Sequence, residues 1–478
     1  MHDPETDKRG ITSQLAFLPC LPLWLMLLTL LSPGVIAQQS STLFWMQGVP
    51  QSNNSNPAFM PLPGYYVGMP AMSSLYLNAS SRGFATGDFI SRNALDEILW
   101  DEDALVESLL DNNLLLADAS MEWFSFGFRT GPNLFTFQAV EKLSLAMAYP
   151  RDLGRLVLKG TQDFPGEQGA GNFEGFSMNH MHYREFSMGY AREISPFFTV
   201  GVRGRVLFGL RNQWTEKAAF ALLPDPAAEG LMLHPDVRLN HSSGKSLGML
   251  EQAPFRFPDR YGVSDFRTRL DNAGGAVDVG LMIYPTEKIS LAFSLLDLGF
   301  IRWRNGVENY LISGSSVFDG IDAEEFFNRY FISNMEAFID GVPDHFDVSM
   351  TSKGYMTRLS PRILGGAGLA LSDRHQLAML SSNLLYEGKL YSSFSFSYNV
   401  KPSRATGLSL AWSAAHMNYY NIGLGMHANL GPFQFYVVGD NLLGFILPNK
   451  VQWNSLQAGI NWVFNYRPKQ TEVPEYGL

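Results

Sequence analysis

The chain is predicted to fold as an all-β protein, an antiparallel up-and-down transmembrane β-barrel of about 14 strands within a range of about 12 to 16. Three observations predict it. Apolar and polar residues alternate with a period of two in many segments, which is strand periodicity and not helix periodicity. No apolar run after residue 37 approaches the roughly 17 to 25 residues of a spanning helix. The connections between the alternating segments are in turn short and long, as in barrels with tight turns at one end and long loops at the other.

Composition agrees. Hydrophobic residues make up 46% of the 478-residue chain, yet the mean hydropathy is only -0.04, because apolar residues are interleaved with polar ones. Aromatic residues at 13% would supply interfacial girdles. The single cysteine, Cys20, falls in the leader described next, which excludes a disulfide framework or cysteine metal site from the remainder. The net charge of -10 argues against nucleic acid as a partner.

Residues 1–37 read as a secretory signal peptide. Lys8 and Arg9 precede the apolar run Leu21–Leu31, and Val35-Ile36-Ala37 forms a small-residue cleavage site before Gln38. The charges of the leader sum to -1, leaving -9 for the mature chain. Residues 38–63, rich in Asn, Ser and Pro, lack alternation and are expected to lie in or under the barrel as a plug, with Asn56, Pro57, Ala58 and Phe59 as the plug candidates.

The wall is expected over residues 64–466, with 467–478 as a periplasmic tail. Gly64–Ser80 rises, a long acidic loop covers Ser81–Ser120, and Met121–Thr130 is followed by the tight turn Gly131-Pro132-Asn133 and a strand to about Tyr149. Asn172–Glu193 descends to Ser195-Pro196. Phe197–Trp214 then rises with Phe198, Val200, Val202, Val206 and Phe208 on an oily face and Thr199, Arg203, Arg205 and Arg211 on the other. Thr215–Arg267 is expected as a long loop with a weakly strand-like Leu231–Asn240, which leaves room for an extra strand pair. Thr268–Tyr284 and Ile289–Asn305 flank the Pro285 turn, and Gly306–Gly354 is a second long loop. Beyond Tyr355–Leu371, strands of about ten residues follow to Tyr466. Their polar faces are Ser, Gly, Ala and Asn, as in Ser393, Ser395, Ser397 and Asn399. A soluble sandwich would expose charge there; small polar residues suit a crowded lumen. Helical patterns at residues 93–116 and 321–339, the latter with Asp319 or Asp322 as N-cap, suggest amphipathic helices at the barrel rim.

Four sequence elements carry a family resemblance: Asn56-Pro57-Ala58, the strand Leu296-Asp297-Leu298-Gly299-Phe300-Ile301-Arg302-Trp303, the loop opening Phe318-Asp319-Gly320-Ile321-Asp322, and Gly439-Asp440-Asn441-Leu442-Leu443. Together they resemble an uncharacterised family of outer-membrane barrels from Bacteroidetes, and the chain is more distantly similar to the long-chain fatty acid transporter barrels. The resemblance implies an outer-membrane location in a Gram-negative cell and a barrel fold. A transport role follows from the second family by analogy.

The lumenal candidates are Arg203, Arg205, Arg211, Asp278 and Asp440, which form either an internal salt-bridge ladder or a selectivity ring for an anionic group. Asp297 falls on the lipid-facing side by strict alternation, so a bulge or an exit of the strand from the membrane is needed there, and it is not counted among the lumenal candidates. His180 and His182 have a chelating spacing, but their strand face continues into Phe186, Met188 and Tyr190, so no metal site is assigned. Ser413 near His416 lacks a supporting constellation for lipid hydrolysis, so no catalytic residue and no cofactor are assigned and the chain is not expected to be an enzyme. The expected function is a channel or transporter for a small or amphipathic solute. The alternatives are a non-conducting barrel serving a surface or secretion assembly and, third, a barrel lipid hydrolase. Outer-membrane lipid, the barrel assembly machinery and a small-molecule substrate are the expected partners.

Overall fold

The computed structural model describes residues 41–61, 63–85, 90–92, 98–160, 163–164, 171–224, 231–243, 271–316, 346–415, 418–442, 444 and 452–466. Fourteen antiparallel wall strands close into one barrel. β1 has two segments, Pro63–Gly68 and Leu75–Arg82; β2 is Asn113–Thr130, β3 Asn133–Tyr149, β4 Ser177–Ser195 and β5 Phe198–Pro224. β6 comprises Leu231–Ser243 and Ala273–Ile283, β7 Ile289–Trp303 and Val307–Gly314, and β8 Phe346–Thr351, Tyr355–Arg358 and Arg362–Ala370. β9 is His375–Tyr386, β10 Lys389–Val400, β11 Thr406–Ala415, β12 Asn418–Leu430, β13 Phe433–Gly439 and β14 Trp453–Tyr466. Closure is made by β14 against β1, with Tyr65 opposite Phe464 and Leu77 opposite Leu456. No helix among the described residues is long and apolar enough to cross a membrane.

The strand count matches the expectation, but two long loops are reassigned. Leu231–Ser243 is indeed a strand, yet it pairs with the top of β5 (Leu239 opposite Thr215) while Ala273–Ile283 pairs with its base. It therefore extends an existing wall and adds none. Likewise Val307–Gly314 and Phe346–Thr351 prolong β7 and β8 upward. The wall is accordingly tall over β2 to β8 and short over β9 to β14. The first helical loop is also redrawn: among its described residues only Glu102–Ser108 is helical (α2), with Asp101 accepting from the Ala104 N–H at 2.9 Å as N-cap, and Leu114–Leu116 belong to β2. α2 lies against the helix Arg151–Lys159 (α3), where Leu105 and Leu109 pack on Leu158 and Lys159 pairs with Asp103 at 2.9 Å. The helix expected over 321–339 lies outside the described residues.

Burial is inside out, which defines the medium. Val200, Val202 and Val206 on β5, Phe396 on β10, and Leu408, Leu410 and Trp412 on β11 are exposed, while Thr199, Arg203, Arg205, Ser395, Ser397, Ser409 and Ser413 are buried. A continuous exposed apolar band around a polar interior suits lipid outside and opposes water there. Leu410, 53% exposed at the middle of β11, tests the band. Leu410→Arg is expected to cost about 2–4 kcal/mol of folding free energy in vesicles; a urea titration showing under about 1 kcal/mol would argue against a midplane lipid contact.

Candidate functional site: a plugged lumen

The lumen is filled from one end by the chain's own N-terminal segment. Residues 41–61 form a short helix, Ser41–Phe44 (α1), a 3-10 turn, Pro50–Asn54, and the Asn56-Pro57-Ala58-Phe59 turn, nearly all buried. Hydrogen bonds tie it to the wall all round: Gln51 to Asn461 at 2.9 Å, Gln138 to Asn54 at 2.7 Å, Ser294 to the Ser55 carbonyl at 2.8 Å, and Gln434 to the Gly48 carbonyl at 2.8 Å. Phe44, Trp45, Ala58 and Phe59 pack on Met282, Ala292, Leu364 and Leu380.

Glycines on the wall make the sockets. A Cβ on Gly201 of β5 would fall 2.3 Å from the Pro57 carbonyl oxygen, and one on Gly280 of β6 would fall 2.1 Å from Asn56 Oδ1. On the far wall Gly423 meets Thr42 and Gly425 meets Met46 in the same way. The Asn56 amide donates to the Phe293 carbonyl at 3.3 Å, while its Oδ1 accepts from the Ala58 N–H at 2.9 Å and closes the turn. The four plug candidates Asn56, Pro57, Ala58 and Phe59 thus lie together inside the barrel.

Above the plug sits a charged chamber of about 50 Å³, enough for a few water molecules. Arg205 is its hub, pairing with Glu185 at 3.1 Å, Asp278 at 2.8 Å and Asp297 at 2.7 Å. Lys142 extends the network through Glu185 at 3.0 Å, and Arg362 through Asp297, with Nε at 2.7 Å. Arg203 instead reaches the plug: Nη2 donates to the Asn53 carbonyl at 2.8 Å and to Asn53 Oδ1 at 2.6 Å, and Asp278 lies 3.7 Å away.

Asp297 enters the chamber through a bulge, the first of the two arrangements that alternation left open. β6 and β7 shift register between Val277 and Val279, Asp297 takes φ +62°, and its N–H donates to Asp278 Oδ1 at 2.8 Å. A left-handed aspartate recovers that strain through the three ion contacts it gains.

Two expected lumenal residues are corrected. Arg211 does not continue the row of Arg203 and Arg205. The β4–β5 register slips between His182 and Tyr183, leaving Leu210 unpaired, so that Asn212 faces inward and accepts from the Tyr355 hydroxyl at 2.9 Å while Arg211 stands on the other face opposite His182. Asp440 does not face the arginines either. It anchors the start of the plug, accepting from the Thr42 N–H at 2.8 Å, the Ser41 hydroxyl at 3.0 Å and the Ser455 hydroxyl at 2.7 Å. His182 pairs with Glu141 at 2.8 Å, Ser413 is buried, and His416 lies outside the described residues. Glu185, Lys142, Arg362 and Glu122, which also border the chamber, were not singled out; the polar face of β4, with Glu185 between Tyr183 and Ser187, carried a signal for the first.

Over the chamber the walls meet across the lumen. Leu114 and Leu116 of β2 and Ala146 and Ala148 of β3 contact Leu384, Tyr386 and Tyr391 of β9 and β10, and the Tyr386 hydroxyl donates to the Ala146 carbonyl at 3.1 Å. On the tall side Met181 and Tyr183 of β4 join Leu207, Ile301 and Trp303. From the plug end the order is therefore plug, charged chamber, apolar collar.

This fold and lumen define a class: a plugged, 14-stranded transmembrane β-barrel. The chain belongs to a family of unknown function (DUF5723), whose model matches residues 57–440. No curated protein sequence matches it. Among solved structures it is similar to the toluene transporter TbuX of Ralstonia pickettii, with 8% identity, a TM-score of 0.42, and 91% of this chain and 96% of that chain covered. The toluene transporter TodX of Pseudomonas putida is similar at 9% identity and TM-score 0.37, covering 90% and 98%. The translocator domain of the autotransporter NalP of Neisseria meningitidis is similar at 8% and 0.30, covering 84% and 88%.

Proposed function

We propose that this protein is a gated channel of the outer membrane of a Gram-negative, Bacteroidetes cell, exported with residues 1–37 as a cleaved signal and passing a small or amphipathic solute when residues 41–61 leave the lumen. The observation that carries this reading is the seating of the plug. It is joined to the wall through glycine sockets and hydrogen bonds, and the wall behind it is lined with Ser, Asn and Gln instead of a continuous apolar core. Ser392, Ser409 and Ser413 are buried hydroxyls with no protein partner, a wall chemistry suited to water or solute. The apolar collar favours solutes with a hydrophobic part and opposes ions, because narrow apolar constrictions gate by dewetting. Outer-membrane lipid and the barrel assembly machinery are its partners in this reading.

The test is single-channel recording of the full chain, of a deletion of residues 41–61, and of that deletion combined with Tyr386→Ala. The full chain is expected to be closed, the deletion to conduct, and the combined variant to conduct most. If neither deleted form conducts nor admits solute into liposomes, the channel reading fails and a closed structural barrel takes its place.

A further inference from the structure

The charges bordering the chamber divide into a tightly paired set and a loosely paired remainder. Lys142, Arg205 and Arg362 are matched by Glu185, Asp278 and Asp297 in one connected network, three cations to three anions. Arg203 and Glu122 line the same chamber as a fourth pair of opposite charges, Arg203 touching the network only through Asp278 at 3.7 Å. Arg203, 4% exposed, has only the 3.7 Å approach to Asp278, whose carboxylate is already taken by Arg205 and by the Asp297 N–H. Its guanidinium is spent on neutral plug oxygens, those of Asn53 at 2.8 and 2.6 Å and the Asn54 carbonyl at 3.4 Å. Glu122, 2% exposed, has Oε1 buried without any hydrogen-bond partner.

Neither group is well served where it stands. A buried carboxylate oxygen without a hydrogen-bond donor has lost its hydration, and a guanidinium binds two charged oxygens more strongly than two neutral ones; Arg203 and Glu122 offset each other only as opposite charges across the chamber. Asn53 offers Arg203 a pair of oxygens from one residue, as a carboxylate would. Gln51 and Asn54 of the plug border the chamber with both charges.

We infer that Arg203 and Glu122 are the two poles of a binding site for a compact zwitterion, an α-amino acid or a solute with that head group. The carboxylate takes the place of the Asn53 oxygens on Arg203, and the ammonium donates to Glu122 Oε1. The inference rests on the channel reading, because a chamber of about 50 Å³ admits such a ligand only as the plug turn Pro50–Asn54 gives way. Ligand and plug then compete for one guanidinium, and the solute loosens its own plug. The network beside the site supplies a rigid frame, so discrimination falls to Arg203 and Glu122, the two charges that lack a close ionic contact of their own.

Equilibrium dialysis of labelled norleucine against the purified full chain in micelles tests this, with hexanoate and hexylamine as probes that each carry one of the two charges. Norleucine is expected to bind saturably at one site, and each single-charge probe at least about tenfold more weakly. Asn53→Ala removes one competing oxygen and, with its amide, the plug's internal bonds to the Pro57 and Phe59 carbonyls, leaves the wall untouched, and is expected to tighten norleucine binding severalfold. Glu122→Gln is expected to weaken it about tenfold while leaving hexanoate unchanged or tighter. Heat-modifiable migration on gels verifies that each variant is a folded barrel. The inference is overturned if neither the full chain nor Asn53→Ala binds norleucine saturably, if the three probes bind alike, or if Glu122→Gln binds norleucine as well as the parent does. A conducting plug deletion alongside any of these results leaves the channel standing and removes only the zwitterion site.

Discussion

Arg205→Ala is expected to lower the unfolding free energy of the barrel by about 3–5 kcal/mol, the cost of breaking a buried ion network from one side. Arg205 holds three carboxylates, those of Glu185, Asp278 and Asp297, and its side chain is almost fully buried. Removing it leaves two anions, Asp278 and Asp297, crowded at one bulge with Arg362 and the long Arg203 contact as their remaining ion pairs among the described residues. Urea unfolding in lipid vesicles, followed by tryptophan fluorescence, measures the loss. A companion variant, Arg205→Ala with Asp278→Asn, is expected to recover part of it, because a charge that lost its partner is then gone as well. A loss under about 1 kcal/mol would mean that the network is hydrated and interchangeable, and would reopen Arg205 as a mobile selectivity group.

Gly280→Val is expected to eject the Asn56–Ala58 turn while the wall stays intact. A Cβ at this site would lie 2.1 Å from Asn56 Oδ1, 2.7 Å from the Ala58 nitrogen and 3.0 Å from Pro57 Cδ, and two of these three atoms belong to the turn's backbone or its fixed ring. Overpacking of this kind costs about 1–3 kcal/mol where the neighbour cannot yield, and here the neighbour is a separate segment that can leave. Chymotrypsin, which cuts after Trp45 and Phe59 once they are exposed, is expected to cleave the plug at least about tenfold faster in the variant. Gly204 supplies the control: a Cβ there meets nothing within 4 Å, so Gly204→Ala should cleave as slowly as the parent. Equal cleavage of all three proteins would show that the turn is not seated by these sockets.

The barrel itself was legible because alternation is a local property. Phe198–Leu210 shows its two faces in the order of its own residues, and Phe394–Asn399 does the same, so strand identity and facing needed no knowledge of neighbours. The tall side was less legible. Leu231–Ser243 and Val307–Gly314 are strands because the top of β5 and each other offer them partners, and their own pattern is weak.

The site divides along the same line. Arg203 and Arg205 sit on the polar face of one strand and could be placed inside from sequence. Arg211 could not, because a single unpaired residue, Leu210, reverses the facing of the stretch that follows it, up to the second shift between Thr215 and Lys217. Asp297 was placed outside by the same arithmetic and is turned inward by its own bulge. A bulge is one residue long and is specified by the register of two strands distant in sequence, so a period of two cannot reveal it.

The amino-acid order by itself determined a lipid-facing barrel wall, its approximate strand number and a non-wall segment at its start, because each rests on spacing within a few residues. Only the tertiary structure decided that residues 41–61 fill the lumen, that Asp440 anchors them, and that Arg205 is neutralised by three carboxylates while Arg203 holds the plug. Those are pairings between residues as much as 410 positions apart, such as Gln51 with Asn461. Closure of the barrel brings them within reach, and the burial it imposes makes each match or mismatch of charge count.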